Sequence, residues 1–139
     1  TQILRKLLRE QRIKEADFQQ LAKIAREMNS GEKRGVNEAE KFFLLNSLDL
    51  SFHKYLWELS GNVRRVQILE GLFYQLLIVM NEDLSSLGVL EKKAEEHLKL
   101  VEVLRENDPS AVVRAFHNHI QDYVKVTLPR EEQNFYLDC

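Results

Sequence analysis

The chain has 139 residues, of which 44% are hydrophobic and 30% are charged, and its formal net charge is -2. This balance is typical of one globular domain, and it excludes both a disordered chain and the basic surface of a nucleic-acid-binding protein. The single cysteine, Cys139, cannot form an internal disulfide. A reducing compartment, the cytoplasm, is therefore the expected location.

Hydrophobic periodicity predicts three helices in the first part of the chain. The first covers about 1–14, and the second begins near Glu15 and ends at "NSG". A charged loop over 30–37 leads to the third helix, which runs from about Asn37 to Ser60 and ends at Gly61.

Three further helices are predicted at about 63–82, 89–106 and 109–126. Asn62 caps the first of them, and Asp108 followed by Pro109 begins the last. The first of these three is expected to be central, because its positions 66, 69, 73, 76 and 80 are all apolar. Residues 128–139 form a polar tail.

The whole chain, 1–139, is thus predicted to be a single all-α domain, an antiparallel bundle of about six helices. No strand-like alternation bounded by turns is present. The chain begins within an amphipathic helical pattern and has no signal-peptide h-region. We expect it to be either a fragment of a longer protein or a stand-alone domain.

Two ionisable residues, Asp49 and His53, interrupt the apolar stretch "LDLSFHKYLWELSGN" of the third helix. Residues four apart lie above one another on a helix, so their side chains project together. One interpretation is a hydrogen-bonded pair that faces solvent. The other is a buried pair, which must be satisfied by a partner or a bound ligand.

The remaining histidines favour a common site in the bundle interior. His97 lies on the inward stripe of the fifth helix, where a lone histidine is usually a satisfied core residue. The sixth helix carries His117 and His119, whose directions differ by about 200°, and periodicity does not choose between them. Three imidazoles and one carboxylate from three helices can converge to bind a divalent transition metal, but suit magnesium and calcium poorly.

Three segments together resemble the FCD domain, the effector-binding domain of FadR-type regulators in the GntR superfamily. They are "LDLSFHKYLWELSGN", "EEHLKLVEVLRENDPSAV" and "RAFHNHI", and they extend the resemblance from about Gln11 to Val126. The spacings agree as well, with 44 residues from His53 to His97 and 22 from His97 to His119.

The resemblance implies that Asp49, His53, His97 and His119 are metal ligands, and it selects His119 over His117. Zinc or nickel is the expected metal. The family pattern also implies a homodimer, a small carboxylate effector and DNA binding through an N-terminal winged-helix domain, which this chain does not contain. The family often has a ligand-facing arginine in the fourth helix, where this chain has Tyr74 and Gln75, and these two are candidate effector contacts.

Three functions can be weighed from these residues. A metal-anchored sensor of a small carboxylate, which modulates DNA binding, is the favoured one. A stand-alone enzyme that activates water at the metal would need a general base, for which Glu70 is the only candidate, because Glu96 points about 100° away from His97. A di-iron bundle would need paired Glu-x-x-His motifs, which are absent from the sequence. No long acyl tunnel is expected, so an acyl-CoA fits poorly, and we predict that the protein is not an enzyme.

Overall fold

Six helices make up the fold in the computed structural model, which describes residues 1–31, 37–81 and 87–127. They are α1 (Gln2–Arg9), α2 (Glu15–Gly31), α3 (Glu38–Leu59), α4 (Val63–Asn81), α5 (Leu87–Glu106) and α6 (Pro109–Thr127). No strand occurs in these ranges, so the predicted all-α class with six helices is confirmed. The predicted loop over 30–37 falls mainly on residues 32–36, and the predicted tail on 128–139, which lie outside the described residues.

The predicted helix starts are confirmed by their capping hydrogen bonds. The side chain of Asn37 accepts a hydrogen bond from the Glu40 N–H at 2.9 Å, and that of Asn62 accepts one from the Arg65 N–H at 3.0 Å. Asp108 accepts from the Ser110 N–H at 2.9 Å. Each cap satisfies an N–H that has no partner within its helix.

The first helix is shorter than predicted, because α1 ends at Arg9 and not near residue 14. Gln11 adopts a left-handed conformation with φ of 49°. The Arg12 N–H then donates to the Leu7 carbonyl at 3.0 Å, and the Gln11 N–H to the Leu8 carbonyl at 3.2 Å. These two bonds form a Schellman motif, which usually has glycine at the left-handed position. Because glutamine occupies this position, no glycine marks the end of the helix in the sequence.

The core is formed mainly by α1, α2, α3, α5 and α6. Helix α2 packs against α3 and α5, α5 also packs against α3 and α6, and α1 lies against α6 and α3. The fully buried side chains include Leu7, Leu21, Phe52, Leu104 and Val112. Helices α3, α5 and α6 are the elements that enclose the candidate site.

Helix α4 is not central in the described part of the structure, so that prediction is wrong there. It packs chiefly against α3, and Val66 is its buried apolar residue among those whose side chains are described. Its apolar residues lie on several sides, and Ile68 and Leu72 are exposed. At the described positions of the predicted stripe, Val66 is buried and Leu69 and Phe73 are half-buried, so the stripe marks the contact with α3 and not a central position.

Candidate metal centre

Helix α3 supplies two of the candidate ligands, because the four-residue spacing of Asp49 and His53 places them one turn apart on one side of the helix. Both side chains are mostly buried, with 13% and 12% of their surface exposed. The His53 Nε2 atom lies 3.2 Å from the Asp49 Oδ1 atom. Phe52 and Leu56 on the same helix are buried in the core, so the packing of α3 holds the pair inside the bundle.

Helix α5 supplies His97, which is completely buried. Its Nε2 atom lies 2.8 Å from the same Oδ1 atom of Asp49 that His53 approaches. The Phe52 ring packs edge-on against the His97 ring, with 4.8 Å between centroids. One carboxylate oxygen thus joins imidazoles from two helices.

Helix α6 carries two histidines, and His119 is the one that lies beside the other imidazoles. His119 is 7% exposed, and its ring centroid lies 4.7 Å from that of His97 and 5.6 Å from that of His53. His117 is exposed. Val112 and Phe116 are buried at helical spacing before His119, so the packed stripe of α6 carries His119 inward.

The four residues selected from the sequence therefore meet at one point. Asp49, His53, His97 and His119 each offer one ligand atom, and these atoms all lie within 4.8 Å of one another. Zinc bonds of about 2.0–2.2 Å place neighbouring ligands of a tetrahedral ion about 3.3 Å apart. The His53–Asp49 separation of 3.2 Å is close to this value, the His97–Asp49 separation of 2.8 Å is shorter, and the wider separations, up to 4.8 Å, are longer, so small side-chain adjustments would fit the cluster to an ion. The donor set of three imidazoles and one carboxylate suits zinc and nickel.

The charges in the cluster shift two pKa values. Burial by itself raises the pKa of Asp49, but hydrogen bonds from His53 and His97, with their charges, lower it well below its ordinary value. For His119, burial is the largest cause, and together with the charges of His53 and His97 it lowers the pKa to about 3. Asp49 is therefore ionised and His119 neutral at neutral pH, which are the forms that bind a metal.

Glu96 also contacts the cluster, which was not predicted from the sequence. The Glu96 Oε2 atom lies 3.2 Å from the Nδ1 atom of His119. A shallow cavity of about 260 Å³ opens beside this pair, lined by Glu96, Lys99, Leu100, Val103, Ala115, Asn118 and His119. The positions 96, 100 and 103 form a helical stripe, so periodicity could have indicated that Glu96 faces α6.

The other residues considered from the sequence lie apart from the cluster. Glu70 accepts a hydrogen bond from the Lys54 Nζ atom at 3.0 Å, at the contact between α3 and α4. Tyr74 is 51% exposed, and Gln75 is also exposed. Their suggested role as effector contacts stays a prediction.

The fold and the cluster together define the class of protein: a helical bundle with a candidate metal site in its interior. The family model of the FCD domain matches residues 6–122, which is most of the chain. The chain therefore belongs to the FCD family, the effector-binding domain of GntR-superfamily regulators. No curated protein and no solved structure shows a significant match to the chain. None of the helices in the described ranges has both the length and the hydropathy to cross a membrane.

Proposed function

We propose that this domain senses a small carboxylate at a divalent metal and thereby modulates the DNA binding of a GntR-type regulator. One observation carries the proposal: a chain of the FCD family brings Asp49, His53, His97 and His119 together in the bundle interior. Effector-binding domains need a built polar site inside an apolar scaffold, and this cluster has that character.

These four residues would hold zinc or nickel. When bound, the metal would supply a Lewis-acidic centre to which an anion can bind. Asp49 reaches two imidazoles with one oxygen and aligns them, and the buried aromatic ring of Phe52 restricts the His97 ring. The role of the protein is to hold three nitrogens and one oxygen at a point that water reaches poorly.

The charge of the site favours an anionic effector. A divalent ion with one ionised aspartate and three neutral histidines has a net charge of about +1. The carboxylate of Glu96 lies behind His119 and is 29% exposed, so solvent screens its opposing charge more than it screens the ligand set. Apolar walls strengthen the remaining attraction for a carboxylate compared with water.

The partners of the domain follow from the family. We propose that it acts as a homodimer in the cytoplasm, and that it reaches DNA through a winged-helix domain, because such dimers read two half-sites. The exposed apolar residues Ile68 and Leu72, which are four residues apart on α4, provide a surface that a second copy could cover.

The sensor is favoured over an enzyme that activates water. A metal-dependent hydrolase needs a general base within reach of the metal-bound water. In the described part of the chain, the candidate Glu70 is paired with Lys54, and Glu96 contacts the outer nitrogen of His119.

Calorimetric titration tests this function. Small mono-, di- and tricarboxylates are titrated into zinc-loaded protein and into protein stripped with a chelator. We expect at least one carboxylate to bind the loaded form at least tenfold more tightly. Equal affinity for the two forms would refute metal-anchored sensing.

A further inference from the structure

The contact between Glu96 and His119 assigns a further role within the site, which rests on the proposed metal binding. We propose that Glu96 is a positioning residue that fixes the proton of His119 on Nδ1 and directs the lone pair of Nε2 to the metal. It is not itself a ligand in this proposal.

The protonation of the ring follows from the chemistry of the contact. An ionised carboxylate has only acceptors, so the Nδ1 atom that lies 3.2 Å from the Glu96 Oε2 atom must donate. A neutral imidazole carries one N–H, so its other nitrogen, Nε2, then has a free lone pair. The other tautomer would place a proton on Nε2, and the ring could not bind a metal through that atom.

The position of the pair makes Glu96 important for His119 in particular. In the metal-free cluster the Nε2 atoms of His53 and His97 carry the protons that they donate to the ionised Asp49, and these protons must leave Nε2 when a metal binds. The Nδ1 atom of His119 instead faces Glu96, so the Nε2 atom of this ring is already free of a proton. The 260 Å³ cavity borders Glu96 and His119. Without the carboxylate, water could approach Nδ1 from this side, and the orientation and tautomer of the ring would no longer be fixed.

Residues that orient a metal-binding histidine typically change metal affinity by about 10- to 100-fold when they are removed. We therefore expect Glu96→Ala to weaken zinc binding by this factor. Glu96→Gln should lose less, because its amide oxygen can still accept the Nδ1–H bond. Glu95→Ala is the matched control, since Glu95 is exposed on the same helix and its substitution removes the same negative charge.

Two measurements on the full chain test the proposal. Zinc affinity is measured by competition with a chromophoric chelator for the wild type and the three variants. Long-range ¹⁵N–¹H correlation spectra then report which nitrogen of His119 carries the proton in the wild type, with and without zinc, and in metal-free Glu96→Ala. We expect Nδ1–H in both states, and a mixture of tautomers in metal-free Glu96→Ala.

The outcomes separate this proposal from the proposed function. Wild-type protein that binds zinc, together with a Glu96→Ala variant that binds it as tightly as Glu95→Ala, would refute the role of Glu96 alone. A proton on Nε2 of the wild-type His119 would refute it even if Glu96→Ala did not fold. Wild-type protein that binds no zinc would refute the metal centre, and the positioning role with it.

Discussion

Alanine substitutions at His119 and at His117, two residues apart on α6, test which histidine of this helix binds the metal. His119 is 7% exposed and belongs to the four-residue cluster, whereas His117 is on the surface. His119→Ala removes one of the four candidate ligands of the cluster. His117→Ala should leave the cluster intact.

The expected size of the effect follows from linkage. Zinc at about 100 times its dissociation constant stabilises the folded protein by about 2.7 kcal/mol. For a chain of this length, that corresponds to an increase in Tm of roughly 8–15 °C, at about 3–6 °C per kcal/mol. If the loss of His119 weakens zinc binding by about 100-fold, the same zinc concentration stabilises by only about 0.4 kcal/mol, which is roughly 1–2 °C.

The assay is thermal unfolding followed by circular dichroism, with and without zinc at this fixed concentration. Each variant is compared with its own metal-free form, so that any loss of intrinsic stability cancels. We expect the zinc-induced increase in Tm to be retained in His117→Ala and nearly lost in His119→Ala. The reverse pattern would show that the assignment on α6 is wrong.

Three further predictions follow from the same contacts. His97→Ala should abolish the zinc binding that metal analysis measures, and full metal content in this variant would contradict the site. Because the His97 ring is completely buried, the same substitution should also lower the unfolding free energy of the metal-free protein by about 3 kcal/mol. For His119, burial lowers the folded-state pKa to about 3, whereas the unfolded imidazole titrates near 6.5. The unfolded chain therefore binds this proton at a higher pH than the folded chain, so the unfolding free energy of metal-free protein should fall as pH decreases from 6.5 toward 3. Below about pH 4 the lowered pKa of Asp49 causes a further loss of stability. Urea unfolding at pH 7 and pH 5 measures the effect, and a higher stability at pH 5 would contradict it. Asp108→Ala should cost about 1 kcal/mol in urea unfolding, because two N–H groups of α6 lose their acceptor, with the exposed Ser110→Ala as control; equal stability of the two variants would contradict the capping role.

Much of the fold could be predicted because local signals agree with the tertiary structure. Five of the six described helices begin and end close to their predicted bounds, and the caps at Asn37, Asn62 and Asp108 explain the starts of three of them. The end of α1 could not be predicted, since Gln11 adopts the left-handed conformation that glycine normally provides.

The position of α4 shows where periodicity fails. Its apolar residues occur on several sides of the helix, so they predict burial without indicating which neighbour provides it. The structure packs α4 chiefly against α3 and leaves Ile68 and Leu72 exposed. Burial depends on the arrangement of the other helices, which no local pattern specifies.

The candidate site was predictable in part. The spacing of Asp49 and His53 is local and could be derived from helix geometry. The convergence of His97 and His119 on that pair depends on tertiary packing, and the choice of His119 over His117 came from the family resemblance. The contact of Glu96 with His119 joins residues 23 apart in sequence, and it required the structure.

The location of the metal is the most direct test of the central claim. Crystals of the zinc-loaded chain are measured on both sides of the zinc absorption edge, and an anomalous difference map locates the ion. We expect one peak per chain, with Asp49, His53, His97 and His119 each about 2.0–2.2 Å from it. A map with no peak among these four residues, or with zinc at surface sites alone, would contradict the account.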